Sequence, residues 1–221
     1  MVMITNTISS NDLFLKNVWS VQLFLPKEEL QTNDEFKLTK LEKLVYERRE
    51  NITLSSSDQN VNYIGLENIE AKTGRISLFS PKQGEEIKST CKRFYKGDIL
   101  YGRLRPTLNK VYYNDYFKEG VCTTEIIVLS PILDKVNPVY LAELLRTEII
   151  NRHIVGLIKG AALPRIAMAD LKQVVLPIPS LKRQNEIAEE ILKKRKELEE
   201  HIRLAQEIPI EIDKYITKAY K

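Results

Sequence analysis

Lys96-Gly97-Asp98-Ile99-Leu100-Tyr101-Gly102-Arg103-Leu104-Arg105-Pro106-Thr107-Leu108-Asn109-Lys110 reads as a strand, a glycine-containing turn and the lead into a second strand. The apolar run from Asp98 to Tyr101 is short, rich in β-formers and bounded by Gly97 and Gly102. Two arginines two residues apart leave the strand on a turn whose backbone Gly102 and Pro106 restrain. Arginine forks suit phosphates and guanine edges, and asparagine suits adenine edges. Arg103, Arg105, Asn109 and Lys110 are therefore candidate nucleic-acid contacts. The alternative is that Arg103 and Arg105 bridge to Asp98 or Glu125 inside the fold.

On either side the texture stays that of a sheet. Val61 to Ile69, Ile76 to Phe79, Lys110 to Tyr113 and Val121 to Leu129 are β-branched or aromatic runs bounded by Gly, Asn, Asp or Pro. Upstream, Ser55 to Asn60 is a polar loop, and Leu38, Leu41, Leu44 and Val45 recur at helical spacing, which predicts an amphipathic helix up to Arg49. Residues 1–36 show no clear period beyond a short apolar segment from Trp19 to Leu25.

Downstream the pattern becomes helical. Asn137-Pro138 opens a helix, with Asn as cap and Pro in the first turn, where its missing N–H costs nothing. Leu141, Leu144, Leu145 and Ile149 line one face of it to about His153. Leu163-Pro164-Arg165-Ile166 interrupts, Met168 to Leu171 is one helical turn, and Val174 to Leu176 is a strand ended by Pro177 and Pro179. A long helix then runs from a Ser180 cap to Gln206, with Pro209 beyond its end. Its stripe of Ile187, Ile191, Leu198, Ile202 and Ala205 is narrow and coiled-coil-like, interrupted by Lys194. So narrow a stripe on a charged helix favours a partner helix over folding back on its own domain. The expected class is α+β: a twisted, mostly antiparallel sheet domain with flanking helices, then one long C-terminal helix.

Composition narrows the function. The chain has 221 residues, 43% hydrophobic and 29% charged, enough to bury a core. No apolar stretch approaches the roughly 18 residues of a membrane span, and Met1 to Asn17 does not read as a secretory leader. Cys91 and Cys122 are too few for a disulfide framework, so a reducing, cytoplasmic setting without membrane contact is expected. The net charge is +4, yet residues 88–183 carry 16 Lys/Arg against 8 Asp/Glu, a net of +8, and the rest carries 18 against 22, a net of −4. A concentrated basic field attracts phosphate backbones, although scattered solvated lysine would give the same count.

Catalytic signatures are missing. Asn137-Pro138-Val139-Tyr140 is similar to the Asn-Pro-Pro-Tyr motif of adenine methyltransferases, but Val139 replaces the second proline and no glycine-rich strand–turn–helix precedes it. A capped helix start explains all four residues. There is no phosphate-binding loop, and the two histidines, His153 and His201, lack metal-ligand spacing. Glu85-Glu86 and Glu189-Glu190 read as solvated faces; Glu125 is a lone carboxylate followed by Ile126 and Ile127, without the lysine a nuclease needs. No catalytic residue, metal ligand or cofactor is expected.

The ordered set Tyr63-Ile64-Gly65-Leu66-Glu67-Asn68-Ile69, Gly74-Arg75-Ile76, Lys96 to Pro106, Thr123-Thr124-Glu125-Ile126-Ile127-Val128-Leu129, Asn137-Pro138-Val139-Tyr140-Leu141, Leu163-Pro164-Arg165-Ile166 and Val175-Leu176-Pro177-Ile178-Pro179-Ser180-Leu181 with Gln184 resembles the DNA specificity subunits of type I restriction–modification systems. The resemblance implies a target recognition domain over residues 36–179 and a conserved helix with its tail over 180–221, leaving 1–35 unassigned. It implies binding to double-stranded DNA, with methylation and cleavage left to methyltransferase and restriction subunits. In that family two such units usually share one chain and their helices pair antiparallel as a ruler between half-sites. This chain has room for one unit, so it is expected to be a half-subunit that dimerises through its helix or a piece of a longer chain. Candidate DNA contacts are Lys72, Arg75, Lys92, Arg93, Arg103, Arg105, Asn109, Lys110, Lys159 and Arg165; Ile187, Ile191, Leu198 and Ile202 are the partner-facing stripe. Alternatives are the specificity domain of a fused restriction–methylation enzyme and a decoy that occupies the methyltransferase. Where the family carries acidic residues early in the helix this chain has Lys182 and Arg183, which oppose the helix dipole and call for a DNA phosphate or a partner carboxylate.

Overall fold

Ile99, Leu100 and Tyr101 are all buried, although alternation along a strand sends neighbouring side chains to opposite faces. The strand that holds them therefore lies between two apolar layers. In the computed structural model, which describes residues 34–158 and 163–220, the order is β1 (Lys37–Lys40), a 3-10 turn (Leu41–Lys43), β2 (Val45–Arg48), β3 (Asn51–Ile52), β4 (Tyr63–Ile64), β5 (Cys91–Tyr95), β6 (Ile99–Gly102), β7 (Val111–Tyr113), β8 (Glu119–Thr123), β9 (Ile126–Pro131), α1 (Pro138–Arg146), α2 (Glu148–Val155), α3 (Met168–Leu171), β10 (Val175–Ile178) and α4 (Leu181–Ala219). The chain is α+β. A central antiparallel sheet has the order β2-β9-β6-β7, and a second has the order β3-β5-β8-β4 with one parallel pair, β4 on β8. β1 and β10 form a separate antiparallel pair.

The central sheet is covered on both sides. Ile99, Tyr101, Val111, Ile127 and Leu129 pack with Leu141, Leu145, Ile150 and Ile154 of α1 and α2. Leu100, Tyr112, Ile126 and Val128 pack with Ile64, Phe94 and Cys122 of the second sheet. A third cluster of Ile87, Cys91 and Val121 covers the outer face of that second sheet. Burial of this kind is why β6 and β9 read as unbroken apolar runs.

Several local expectations are corrected. Leu38 to Arg49 is two strands around a 3-10 turn, not a helix. Backbone partners elsewhere decide it: Leu41 N–H donates to Val174, and Leu44 accepts from Ile132. Ile76 to Phe79 is not a strand, although Ile76 makes an isolated bridge to Ile69. Cys91–Tyr95 is a strand that its polar Lys92-Arg93 centre concealed. Val121 to Leu129 is two strands in two different sheets, joined by a turn at Thr124-Glu125. The helix from Pro138 breaks at Thr147 into α1 and α2. Pro177 lies inside β10, where a two-stranded pair leaves one edge free of ladder bonds.

The long helix exceeds its expected end. α4 runs 39 residues to Ala219 with Pro209 inside it, about 58 Å at 1.5 Å per residue. Proline removes one intrahelical bond and crowds the carbonyl four residues back; on this exposed stretch water can satisfy that carbonyl. Ser180 caps the start, its Oγ accepting from the Arg183 N–H at 3.3 Å. Arg183 pairs with Glu35 at 3.4 Å and Glu186 at 3.0 Å, so its charge finds carboxylates within the chain.

Candidate nucleic-acid interface

The turn after β6 is built by two neighbours. Arg105 N–H donates to Pro164 at 2.8 Å, Ile166 N–H donates to Arg103 at 3.0 Å, and Leu104 bridges Arg165. Arg103 N–H donates to Glu125, on the turn between β8 and β9, at 3.0 Å. Three segments far apart in sequence thus meet at one end of the central sheet and bring Arg103, Arg105 and Arg165 together. Lys92 joins them from β5, its Nζ donating to the Ile126 carbonyl at 2.8 Å.

The charges here are unequal in availability. Arg165 forks onto Glu125 through Nε and Nη2 at 2.8 to 3.1 Å. That guanidinium holds the Glu125 carboxyl below its usual range, so it stays ionised within the basic cluster. Burial lowers the Lys92 ammonium from its usual value. Arg103 and Arg105 bridge neither Asp98 nor Glu125. Asp98 instead is held by Arg48, through Nε at 2.9 Å, and by Ser130. Arg103 Nε is buried without a hydrogen-bond partner. Arg105 is exposed and adopts a left-handed backbone, φ 48°, at the N-cap of the Pro106–Leu108 turn. A non-glycine residue held there is locally strained, as residues at ligand clamps often are.

Other candidates fall elsewhere. Asn109 is 5% exposed, with Nδ2 donating to the Arg146 carbonyl at 2.7 Å, so its amide is turned into the protein. Its left-handed backbone, φ 50°, closes the turn that follows Arg105. Lys110 folds back onto the Leu66 carbonyl at 2.6 Å, beside Gly102. Arg93 projects from the face of β5 opposite Lys92, near Glu50 and Asp58. Lys72, whose N–H donates to the Asn109 carbonyl at 3.0 Å where the arginine turn closes, and Arg75 line a groove of about 840 Å³ against Ile187, Ile191 and Leu198 of α4. Lys159, like residues 1–33, lies outside the described residues.

Asn137 is a helix cap: Oδ1 accepts from Val139 and Tyr140 N–H at 2.9 and 3.1 Å, and the Tyr140 hydroxyl donates to Pro177. Both side chains thus serve the start of α1 and its seat against β10. The sequence did not single out Glu143, Arg146 and Arg195, which join α4 to the domain. Arg195 Nε donates to Glu143 at 2.5 Å, and Arg146 Nε donates to the other oxygen of Glu143 at 3.1 Å. The spacing of Glu143 and Arg146 on one helix was a visible signal; that Arg195 reaches them was not.

On α4, Gln184 and Ala188 are buried against the domain, Ile187 and Ile191 are half-buried, and Leu198 is 44% exposed. Because the helix continues, Leu198, Ile202, Ala205, Pro209, Ile212 and Ile216 follow one another at four- and three-residue spacings. Ile212 and Ile216 are 58% and 55% exposed. This is an a/d-type seam on a helix that has left its own domain. No described helix is long and apolar enough to cross a membrane.

Residues 32–214 match the family model of the Type I restriction modification DNA specificity domain. The chain is 26% identical over 132 residues to the Type I restriction enzyme EcoDI specificity subunit of Escherichia coli, covering 60% of this chain and 29% of that one. The HsdS subunit from Thermoanaerobacter tengcongensis superposes with a TM-score of 0.64 at 19% identity, over 80% of this chain and 46% of that one. A chain from a structure of type I R-M complex assembly and conformational transition gives 0.65 at 19% identity, over 79% and 45%. The S subunit from M. genitalium gives 0.53 at 16%, over 79% and 43%. The chain thus spans less than half the length of these relatives. With the family model matching most of its length and the fold shared, the chain belongs to the type I restriction–modification DNA specificity domain family.

Proposed function

We propose that this chain is a non-catalytic specificity module that binds duplex DNA through the Arg103–Arg105 turn and directs methyltransferase subunits, and through them a restriction subunit, to a target. The observation that carries this reading is the convergence of Arg103, Arg105, Arg165 and Lys92 at one sheet end, with neither Arg103 nor Arg105 bridged to a carboxylate among the described residues. The Escherichia coli relative carries the words specificity subunit in its name, which supports it. A loop pinned by backbone bonds to 164–166 and 125 presents its guanidiniums without needing to be ordered on binding.

Arg105→Ala should weaken binding to the preferred duplex by about 1–3 kcal/mol and blur the preference at one position if the fork reads a guanine. Equal, small losses on every sequence would mean phosphate contact alone. An unchanged affinity for both Arg105→Ala and Arg103→Ala, measured by fluorescence anisotropy on a selected target, would defeat the reading.

The boundary we propose puts recognition in residues 36–179 and association in 180–221. A second unit, from another copy or the same longer polypeptide, would pair its helix with α4 and cover the seam from Leu198 to Ile216. Two units in two-fold arrangement fit two inverted half-sites. Each aliphatic side chain contributes about 1.5–3 kcal/mol when fully buried. Ile212→Asp should therefore reduce self-association or methyltransferase docking at least 100-fold, read by sedimentation and co-purification, with circular dichroism unchanged. Ile212 is the cleaner test than Ile191, which the domain already half covers. A wild-type chain that stays monomeric and captures no methyltransferase subunit would remove the helix from this role.

A further inference from the structure

Among the described residues, Arg195 is the last residue of α4 to hydrogen-bond the domain, and its tie to Glu143 is an ionic one. Nε donates to Glu143 at 2.5 Å and Nη2 to the Thr73 carbonyl at 3.1 Å. Glu143 is gripped in turn by Arg146, whose Nη1 donates to the Val111 carbonyl at 2.5 Å. The Arg146 carbonyl accepts from Asn109 Nδ2 at 2.7 Å, and Asn109 closes the turn that begins at Arg105. The helix is thus referenced to the arginine turn itself. Its other anchors cluster at its start, where Gln184 accepts from Asn137 N–H at 2.8 Å and donates to Pro179 at 2.9 Å, and Asn185 accepts from Asn137 Nδ2 at 2.9 Å.

We infer that Arg195 and Glu143 are positioning residues that hold α4 at one angle to the recognition turn and so restrict the spacing between half-sites that two units accept. This rests on the reading above. The lever explains why one contact matters. From Gln184 to Arg195 the helix is supported over about 16 Å, and from Arg195 to Ala219 it extends about 36 Å more. With Gln184 as pivot, a lateral slip of about 1 Å at Arg195 becomes about 3 Å at the far end, close to the ~3.4 Å rise of one base step. Apolar contacts at Ile187, Ala188 and the half-buried Ile191 all lie on the pivot side of Arg195, so each acts on a shorter arm than the Arg195 tie. Arginine suits the task because its planar fork fixes direction as well as distance.

The test uses the 221-residue chain with Arg195→Ala, a partly exposed position whose loss leaves the Glu143–Arg146 pair intact. Spin labels placed by Tyr46→Cys and Tyr215→Cys, both well exposed, report the domain-to-tip distance in chain diluted with unlabelled protein; Cys91 and Cys122 are buried. The distance distribution should be narrow in the parent and broaden by about 3 Å in Arg195→Ala. A split target is then selected from random duplexes, and its spacer is varied one base pair at a time. The parent should lose at least tenfold for one added pair, and Arg195→Ala less than threefold, with single half-site affinity equal in both. An unbroadened distribution overturns the clamp. Broadening with the parent's spacer preference retained overturns its role in spacing. Broadening in a chain that binds no duplex sinks the DNA reading and the spacing role together, and leaves the clamp standing as a mechanical feature.

Discussion

Raising salt from 50 to 200 mM is expected to weaken duplex binding by about a thousandfold if two units together neutralise about six phosphates. The number follows from the patch. Arg103, Arg105 and Arg165 are the guanidiniums that the turn brings together, three per unit. Arg165 counts only if it exchanges Glu125 for a phosphate, since its fork is occupied in the free chain. If it stays on Glu125, about four phosphates remain and the same salt step costs about a hundredfold. The slope of log affinity against log salt thus reads out whether Arg165 switches partner. Anisotropy titrations at four or five salt concentrations measure it, and a flat dependence would show that this surface does not meet DNA.

Glu143→Ala should destabilise the domain by about 3–5 kcal/mol, because it strips the carboxylate from a buried guanidinium. The Arg146 side chain is 5% exposed and Glu143 25%. Burial alone would raise the Glu143 carboxyl, but the hydrogen bonds and charges of Arg146 and Arg195 outweigh it and leave it below its usual value. A folded pKa below the unfolded one stabilises at pH above the ordinary carboxylate range, and that stabilisation is lost as pH falls through the folded value. The parent should therefore lose stability on acidification more steeply than Glu143→Ala does. Replacing both partners by apolar residues, Glu143→Leu with Arg146→Met, should recover much of the loss, since no charge is left stranded. Urea unfolding at pH 7 and pH 4 separates these outcomes, and a change below about 1 kcal/mol at pH 7 would mean that water already solvates Arg146.

Much of the plan was legible in the chain. The β6 strand, the glycine and proline around the arginine turn, the Asn137 cap and the Ser180 cap follow from local chemistry, and each is found in the structure. The caps and the turn are satisfied within a few residues, and for β6 the distant partners β7 and β9 agree with the local preference. Leu38 to Arg49 went the other way. Its helical spacing was real, but backbone bonds to Val174 and Ile132, more than 80 residues away, made strands of it.

The candidate site divides along the same line. Residue types and net charge identified a basic stretch and named its arginines, because charge is a property of the sequence. Which of them stand together is decided by the antiparallel contact of 103–105 with 164–166 and the turn at Glu125. Asn109 illustrates the difference: its amide suits an adenine edge, yet the fold spends it on the Arg146 carbonyl. The stripe on α4 could be read from spacing alone, since helical period is local. That Arg195 leaves the solvated face to grip Glu143, and that the helix carries on through Pro209, depend on neighbours and solvent that only the folded chain supplies.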